Sequence, residues 1–145
     1  MNRADTILLA EDDADYAVLL QEALQEAGVF NPVHVASTGS DAVEFLKSNR
    51  DKNPSIDSSH PAMILLDLRL PVKHGLDVLR WIRNQSELKQ VPVIILSGAE
   101  SEGEAANAYA LGASAYLSKP AQFPVLVHSV EELRDRFLPQ VAISA

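Results

Sequence analysis

The sequence predicts a three-layer α/β/α sandwich built on one five-stranded parallel sheet, and three observations predict it. Five short apolar runs alternate with helical patterns along the chain. Three of the five runs are almost continuously apolar, as expected of strands covered on both faces. A repeated strand–helix order closes through right-handed crossovers, which makes the strands parallel and puts helices on both sides of the sheet.

The runs are TILLAED (6–12), PVHVAS (32–37), AMILLDL (62–68), VPVIILS (91–97) and SAYLSK (114–119). The first helix spans 14–27, where Val18, Leu19, Ala23, Leu24 and Ala27 recur at helical spacing and Gly28 supplies a stop. Ala42, Val43, Phe45 and Leu46 mark a second helix starting near Ser40 or Asp41. Leu76, Val78, Leu79 and Ile82 form the stripe of a third, with Trp81 read as packing. The fourth, Glu102 to Leu111, is Ala-rich, with Ala105, Ala108 and Tyr109 inside it and Gly112 at its end. So thin an apolar face suits an element that shifts. The fifth, roughly 124–138, carries Val127, Val130, Leu133 and Phe137 on one face and Glu131, Glu132, Arg134 and Asp135 elsewhere. The further apolar residues Val125, Leu126 and Leu138 leave a homodimer seam through this C-terminal face open. Residues 49–61 lack periodicity, contain two prolines and read as a long surface loop, most simply a tolerated insertion.

Composition narrows the function. A chain of 145 residues, 47% hydrophobic and 22% charged, fits one globular domain with a real core. No apolar stretch is long enough to span a bilayer and no export signal opens the chain, so a cytoplasmic setting is expected, without membrane association. The absence of cysteine excludes disulfides and thiolate metal sites. Net charge is −8 and the basic residues are scattered, so direct nucleic-acid binding is not expected. His34, His60, His74 and His128 show no ligand spacing and read as solvated or loop residues.

Chemistry concentrates where the strands end. In an open parallel sheet, ligands bind at the carboxyl ends of the strands. That edge would gather Glu11, Asp12, Asp67, Ser97 and Lys119 from four different runs. Several carboxylates on one rim repel unless a cation sits among them, and all-oxygen donors suit Mg²⁺. Asp67 can act as a carboxylate nucleophile towards phosphorus. Glu11 and Asp12 can hold the metal, Ser97 offers a hydroxyl to a phosphoryl oxygen, and Lys119 offers a mobile point charge. Asp13 begins the following loop and suits a helix cap.

The pieces ILLAEDD, LLDLRLPVKHG, VIILSGA and AYLSKP stand in the order and on the strands of a response regulator receiver domain. The chain resembles that family over nearly its whole length, and within it is similar to single-domain phytochrome-associated regulators. The resemblance implies a flavodoxin-like, doubly wound (βα)₅ fold and a single receiver domain over 1–145, with a core of about 5–138 and no output domain. It implies Asp67 as phosphoacceptor, with Mg²⁺ held by Glu11, Asp12, Asp67 and the backbone carbonyl of Arg69. Ser97 would be the hydroxyl switch, Tyr116 the aromatic switch and Lys119 the site lysine, followed by a cis bond to Pro120. Arg69 and Ala99 stand where relatives tune phosphoryl lifetime, and both depart from common versions of the pattern. The implied donor is a sensor histidine kinase, with a bacteriophytochrome among the candidates, or a phosphotransfer protein. The implied output is a changed surface over the fourth helix, fifth strand and fifth helix, which controls a protein partner. No enzyme activity is expected beyond self-catalysed phosphorylation and dephosphorylation. Two rival classes are an aspartate-nucleophile phosphohydrolase of the haloacid dehalogenase type, which would want an acid where Arg69 stands, and a receiver-like module that is never phosphorylated.

Overall fold

The computed structural model describes residues 6–52, 60–98, 102–119 and 122–138. Strands β1 (Ile7–Ala10), β2 (Val33–Ala36), β3 (Met63–Asp67), β4 (Val93–Ser97) and β5 (Ala115–Ser118) alternate with helices α1 (Ala14–Glu26), α2 (Gly39–Lys52), α3 (Gly75–Arg83), α4 (Glu102–Ala110) and α5 (Phe123–Phe137). The strands form one parallel sheet in the order β2-β1-β3-β4-β5. The order reverses between β1 and β3, which opens a crevice beyond their carboxyl ends. Register aligns those ends, with Ala10 opposite Leu66, Asp67 opposite Leu96 and Ser97 opposite Ser118.

Alternation along each strand divides the core in two. Ile7, Leu9, Leu65, Ile94 and Leu96 face α1 and α5, meeting Leu20, Leu24, Leu126 and Val130. Leu8, Ile64, Leu66 and Ile95 face the other way, meeting Val43, Leu46, Val78, Leu79 and Ile82. Residues of β1, β3 and β4 are buried throughout, which accounts for their continuously apolar sequences. The contribution of α4 is small: among its described residues, Ala108 is the one buried in the core.

Two expectations need correction. Val18 is 55% exposed, because the buried face of α1 runs through Tyr16, Ala17, Leu20, Ala23 and Leu24. Of the loop expected at 49–61, residues 49–52 belong to α2 instead, because a polar stretch without proline can extend a helix whose earlier turns are already packed, and residues 53–59 lie outside the described residues. His34 lies on β2, inside the run read as a strand, and is exposed as expected; its ring stacks on Phe45 at 4.1 Å between centroids. A 3₁₀ turn at Ser86–Leu88, unexpected from periodicity, buries Leu88. Trp81 packs against the α2–α3 side of the core, as expected.

One close approach and one strained residue shape the loop after β3. Gly75 opens α3 so near the Asp67 carbonyl and Leu68 that a Cβ there would collide with backbone. Val72, in the preceding loop, holds φ at 71°, an unfavourable region for a β-branched residue.

Candidate functional site

The β1 end delivers Glu11 into the crevice at 1% exposure, while Asp12 beside it faces solvent. Asp13 turns the chain into α1 by accepting the Asp15 and Tyr16 backbone N–H groups at 3.0 and 3.2 Å, an N-cap as expected. Asp67 closes β3 at 5% exposure. Ligand oxygens of Glu11, Asp12 and Asp67 all lie within 4.8 Å of one another.

Lys119, just beyond β5, brings an ammonium into this cluster. Its Nζ donates to Glu11 Oε1 at 2.8 Å and to Asp67 Oδ2 at 3.1 Å, and lies 4.7 Å from the centre of the Tyr16 ring. The other carboxylate oxygens serve the local backbone: Glu11 Oε2 accepts from the Asp13 N–H at 3.0 Å and Asp67 Oδ1 from the Arg69 N–H at 2.9 Å. Each buried acid is thereby tied to its own loop and to the same lysine.

The charge balance is uneven, with three clustered carboxylates and one ammonium, which pairs with Glu11 and Asp67. Burial, with Asp67 alongside, pushes the Glu11 carboxyl up to about 7 against the opposing pull of Lys119 and the Asp13 N–H. Burial alone would lower the Lys119 ammonium; its hydrogen bond to Glu11 and the field of Asp67 outweigh that and raise it. Burial lifts the Tyr16 hydroxyl to about 12, so the ring packed under the ammonium stays neutral near pH 7.

The donor chemistry fits a small divalent cation. Hard carboxylate oxygens from two strand ends converge, and the ammonium of Lys119 already stands among them as a tethered positive charge.

Ser97 ends β4 at 3% exposure, with its hydroxyl donating to the Gly98 carbonyl at 3.3 Å. Tyr116 points outward at 47% exposure and meets Tyr109 edge to face at 6.3 Å. These two tyrosines, Val125, Ser129 and Arg136 line a groove of about 470 Å³ over α4, β5 and α5. Arg69 brings its guanidinium to Glu104 of α4, Nε to Oε1 at 3.4 Å. Ala99 and the Lys119–Pro120 bond, both singled out in the sequence, lie outside the described residues.

Three neighbours of the site were not evident from the sequence. Tyr16 and Glu104 arrive from helices, so no strand-end pattern marks them. His74, beside the Pro71-to-Gly75 turn, caps α3: its Nδ1 accepts the Leu76 N–H at 3.1 Å, and its Nε2 faces Glu104 Oε2 at 3.4 Å. A histidine directly before a helical stripe is the signal that would have pointed to the cap.

Comparison with known proteins agrees with this geometry. The response regulator receiver domain model matches residues 7–131. Response regulator Rcp1 of Synechocystis sp. is 31% identical over 99% of this chain and 96% of its own length. A probable methanogenesis regulatory protein, FilR2 of Methanothrix harundinacea, is 33% identical over 91% of this chain and 83% of its own. Among solved structures, the phosphorylated cyanobacterial phytochrome response regulator RcpA superposes with a TM-score of 0.78 at 30% identity, aligning 97% of this chain with 99% of RcpA. The Mn²⁺-bound form of Rcp1 gives 0.76 at 30% identity, with the same coverage. The chain belongs to the response regulator receiver domain family of two-component signalling, and its relatives include phytochrome-associated single-domain regulators.

Proposed function

We propose that this receiver accepts a phosphoryl group on Asp67 from a phosphohistidine, on a sensor histidine kinase or a phosphotransfer protein, and passes the signal on through a changed α4–β5–α5 surface. The observation that carries the reading is the convergence of Glu11, Asp12 and Asp67 oxygens within 4.8 Å of one another, with the Lys119 ammonium bonded to Glu11 and Asp67. A carboxylate oxygen of Asp67 attacks phosphorus; the new O–P bond forms as the P–N bond to the donor imidazole breaks, and that imidazole leaves with the nitrogen's electron pair. Lys119, held at the same carboxylate, offsets the charge gathering on the transferred oxygens. Glu11, Asp12, Asp67 and the Arg69 backbone carbonyl are the groups that would hold Mg²⁺, which supplies further charge neutralisation when bound. That Rcp1, a relative, binds Mn²⁺ supports the choice of a small divalent ion.

Ser97 and Lys119 move towards the new oxygens, and the space Ser97 leaves admits the Tyr116 ring, now at the surface beside Tyr109. The groove over α4, β5 and α5 changes shape, and a protein partner, or a second copy through the C-terminal face, reads the change. RcpA is a phytochrome response regulator, which makes a phytochrome kinase the leading donor class. A donor of that kind and the absence of cysteine support a cytoplasmic setting.

Acetyl phosphate with Mg²⁺, followed by intact mass, tests the reading. One phosphoryl group per chain, lost in Asp67→Asn, is the expected result. Rapid turnover without accumulation indicates a hydrolase, and no label indicates a module that binds without phosphorylation; either outcome overturns the proposal.

A further inference from the structure

Beside the site, two residues of the β3–α3 loop converge on one carboxylate of α4. Glu104, in the first turn of α4, faces Arg69 Nε through Oε1 and His74 Nε2 through Oε2, each at 3.4 Å. Arg69 is also tied to the acceptor, because its backbone N–H donates to Asp67 Oδ1. His74 is fixed by its cap to α3: with Nδ1 accepting from Leu76, a neutral ring carries its proton on Nε2, pointing at Glu104. These contacts matter to α4 out of proportion to their number, since Ala108 alone of its described residues is buried in the core.

The Arg69–Glu104 pair is close but not committed. Glu104 Oε1 is buried and makes no hydrogen bond among the described residues, so the attraction is Coulombic and undirected. A guanidinium gains more from a phosphoryl group, with its greater charge and forked oxygens, than from a single carboxylate oxygen at that distance. Arg69 is half-exposed on a long flexible stem, whereas His74 cannot leave without uncapping α3.

Building on Asp67 as phosphoacceptor, we infer that Glu104 is a positioning residue which competes with the phosphoryl group for the Arg69 guanidinium. In the resting protein the pair ties α4 to the β3–α3 loop. Once Asp67 is phosphorylated, Arg69 turns to the phosphoryl oxygens and α4 loses that tie. Coupling of this kind is reciprocal, so removing Glu104 must favour the phosphorylated state.

The test is a cycle of wild type, Glu104→Gln, Arg69→Met and the double variant, each titrated with beryllofluoride and Mg²⁺ and followed by amide NMR. Glu104→Gln is expected to bind beryllofluoride roughly two- to fivefold more tightly than wild type, the range for a partly exposed ion pair. In the Arg69→Met background the same change is expected to be silent. Without beryllofluoride, α4 amides of Glu104→Gln are expected to move towards their wild-type bound positions, which a purely local effect on helix stability would not produce. Unchanged affinity in Glu104→Gln, or an effect that survives in Arg69→Met, overturns the inference. Wild type failing to bind beryllofluoride would instead bring down the Asp67 reading beneath it.

Discussion

At the scale of single side chains, Glu11 is the deepest charge in the site, and its carboxyl is pushed up to about 7 by burial and by Asp67. The folded protein therefore retains a proton that the unfolded chain releases near its ordinary value of 4.5. The resulting stability is fully present below 4.5 and is lost as pH rises through about 7. A gap of that size corresponds to a loss on the order of 3 kcal/mol. Urea midpoints are expected to fall between about pH 5 and about pH 8 without Mg²⁺, and to fall less steeply in Glu11→Gln. Mg²⁺ is expected to stabilise wild type more at the higher pH, because it favours the ionised carboxylates; an equal gain at both would contradict the charge balance described above.

Arg69 belongs to the same scale. Its half-exposed side chain lies on the loop that leaves Asp67, and it is expected to affect access of water to a modified Asp67 more than the transfer itself. Arg69→Asn is expected to shorten the aspartyl phosphate half-life by roughly 2–10-fold, about 0.4–1.4 kcal/mol of barrier, with little effect on labelling by acetyl phosphate. Phosphate release assays compare the two; equal half-lives would remove Arg69 as a tuner.

At the scale of elements, the strands were the most legible parts of the chain. Runs such as MILLD are buried on both faces, so their composition alone marks them. Glu11, Asp67 and Ser97 were legible for a related reason, since a polar residue ending such a run has little to do in a core. Contacts set by packing between distant segments were not legible. Arg83 is the clearest case: from the end of α3 it donates to the carbonyls of Gly112 at 3.0 Å, Leu88 at 2.9 Å and Val91 at 3.0 Å. One guanidinium thus pins the 3₁₀ turn and the α4–β5 connection, contacts that helical periodicity does not mark. Arg83→Met is expected to cost roughly 2–3 kcal/mol in urea denaturation, as for lost charge-assisted hydrogen bonds. Arg134 plays a similar part across the molecule, donating to the Ala27 carbonyl at the end of α1.

On the scale of the whole molecule, the two cores are anchored unequally. The α1–α5 side closes through Leu20, Leu24, Leu126, Val130 and Leu133, all buried, whereas the far side thins out towards α4. Conformational change is therefore expected to run along α4 and the exposed faces of β5 and α5, through Tyr109, Tyr116 and Val125, while the buried α1–α5 seam stays in place. Amide shifts induced by Mg²⁺ and beryllofluoride should be large around Tyr109, Tyr116 and Val125 and small around Leu20 and Leu24. A response spread evenly over both faces would count against this division.

The lysine already seated among the acids has one more implication. Sodium or potassium would bring no more charge than the ammonium supplies, and would shed hydration to get there. An ion with twice the charge gains where they do not. The chain's own side chain thus acts as a threshold that common monovalent salts fail to cross, so readiness for signalling should follow divalent supply and ignore potassium.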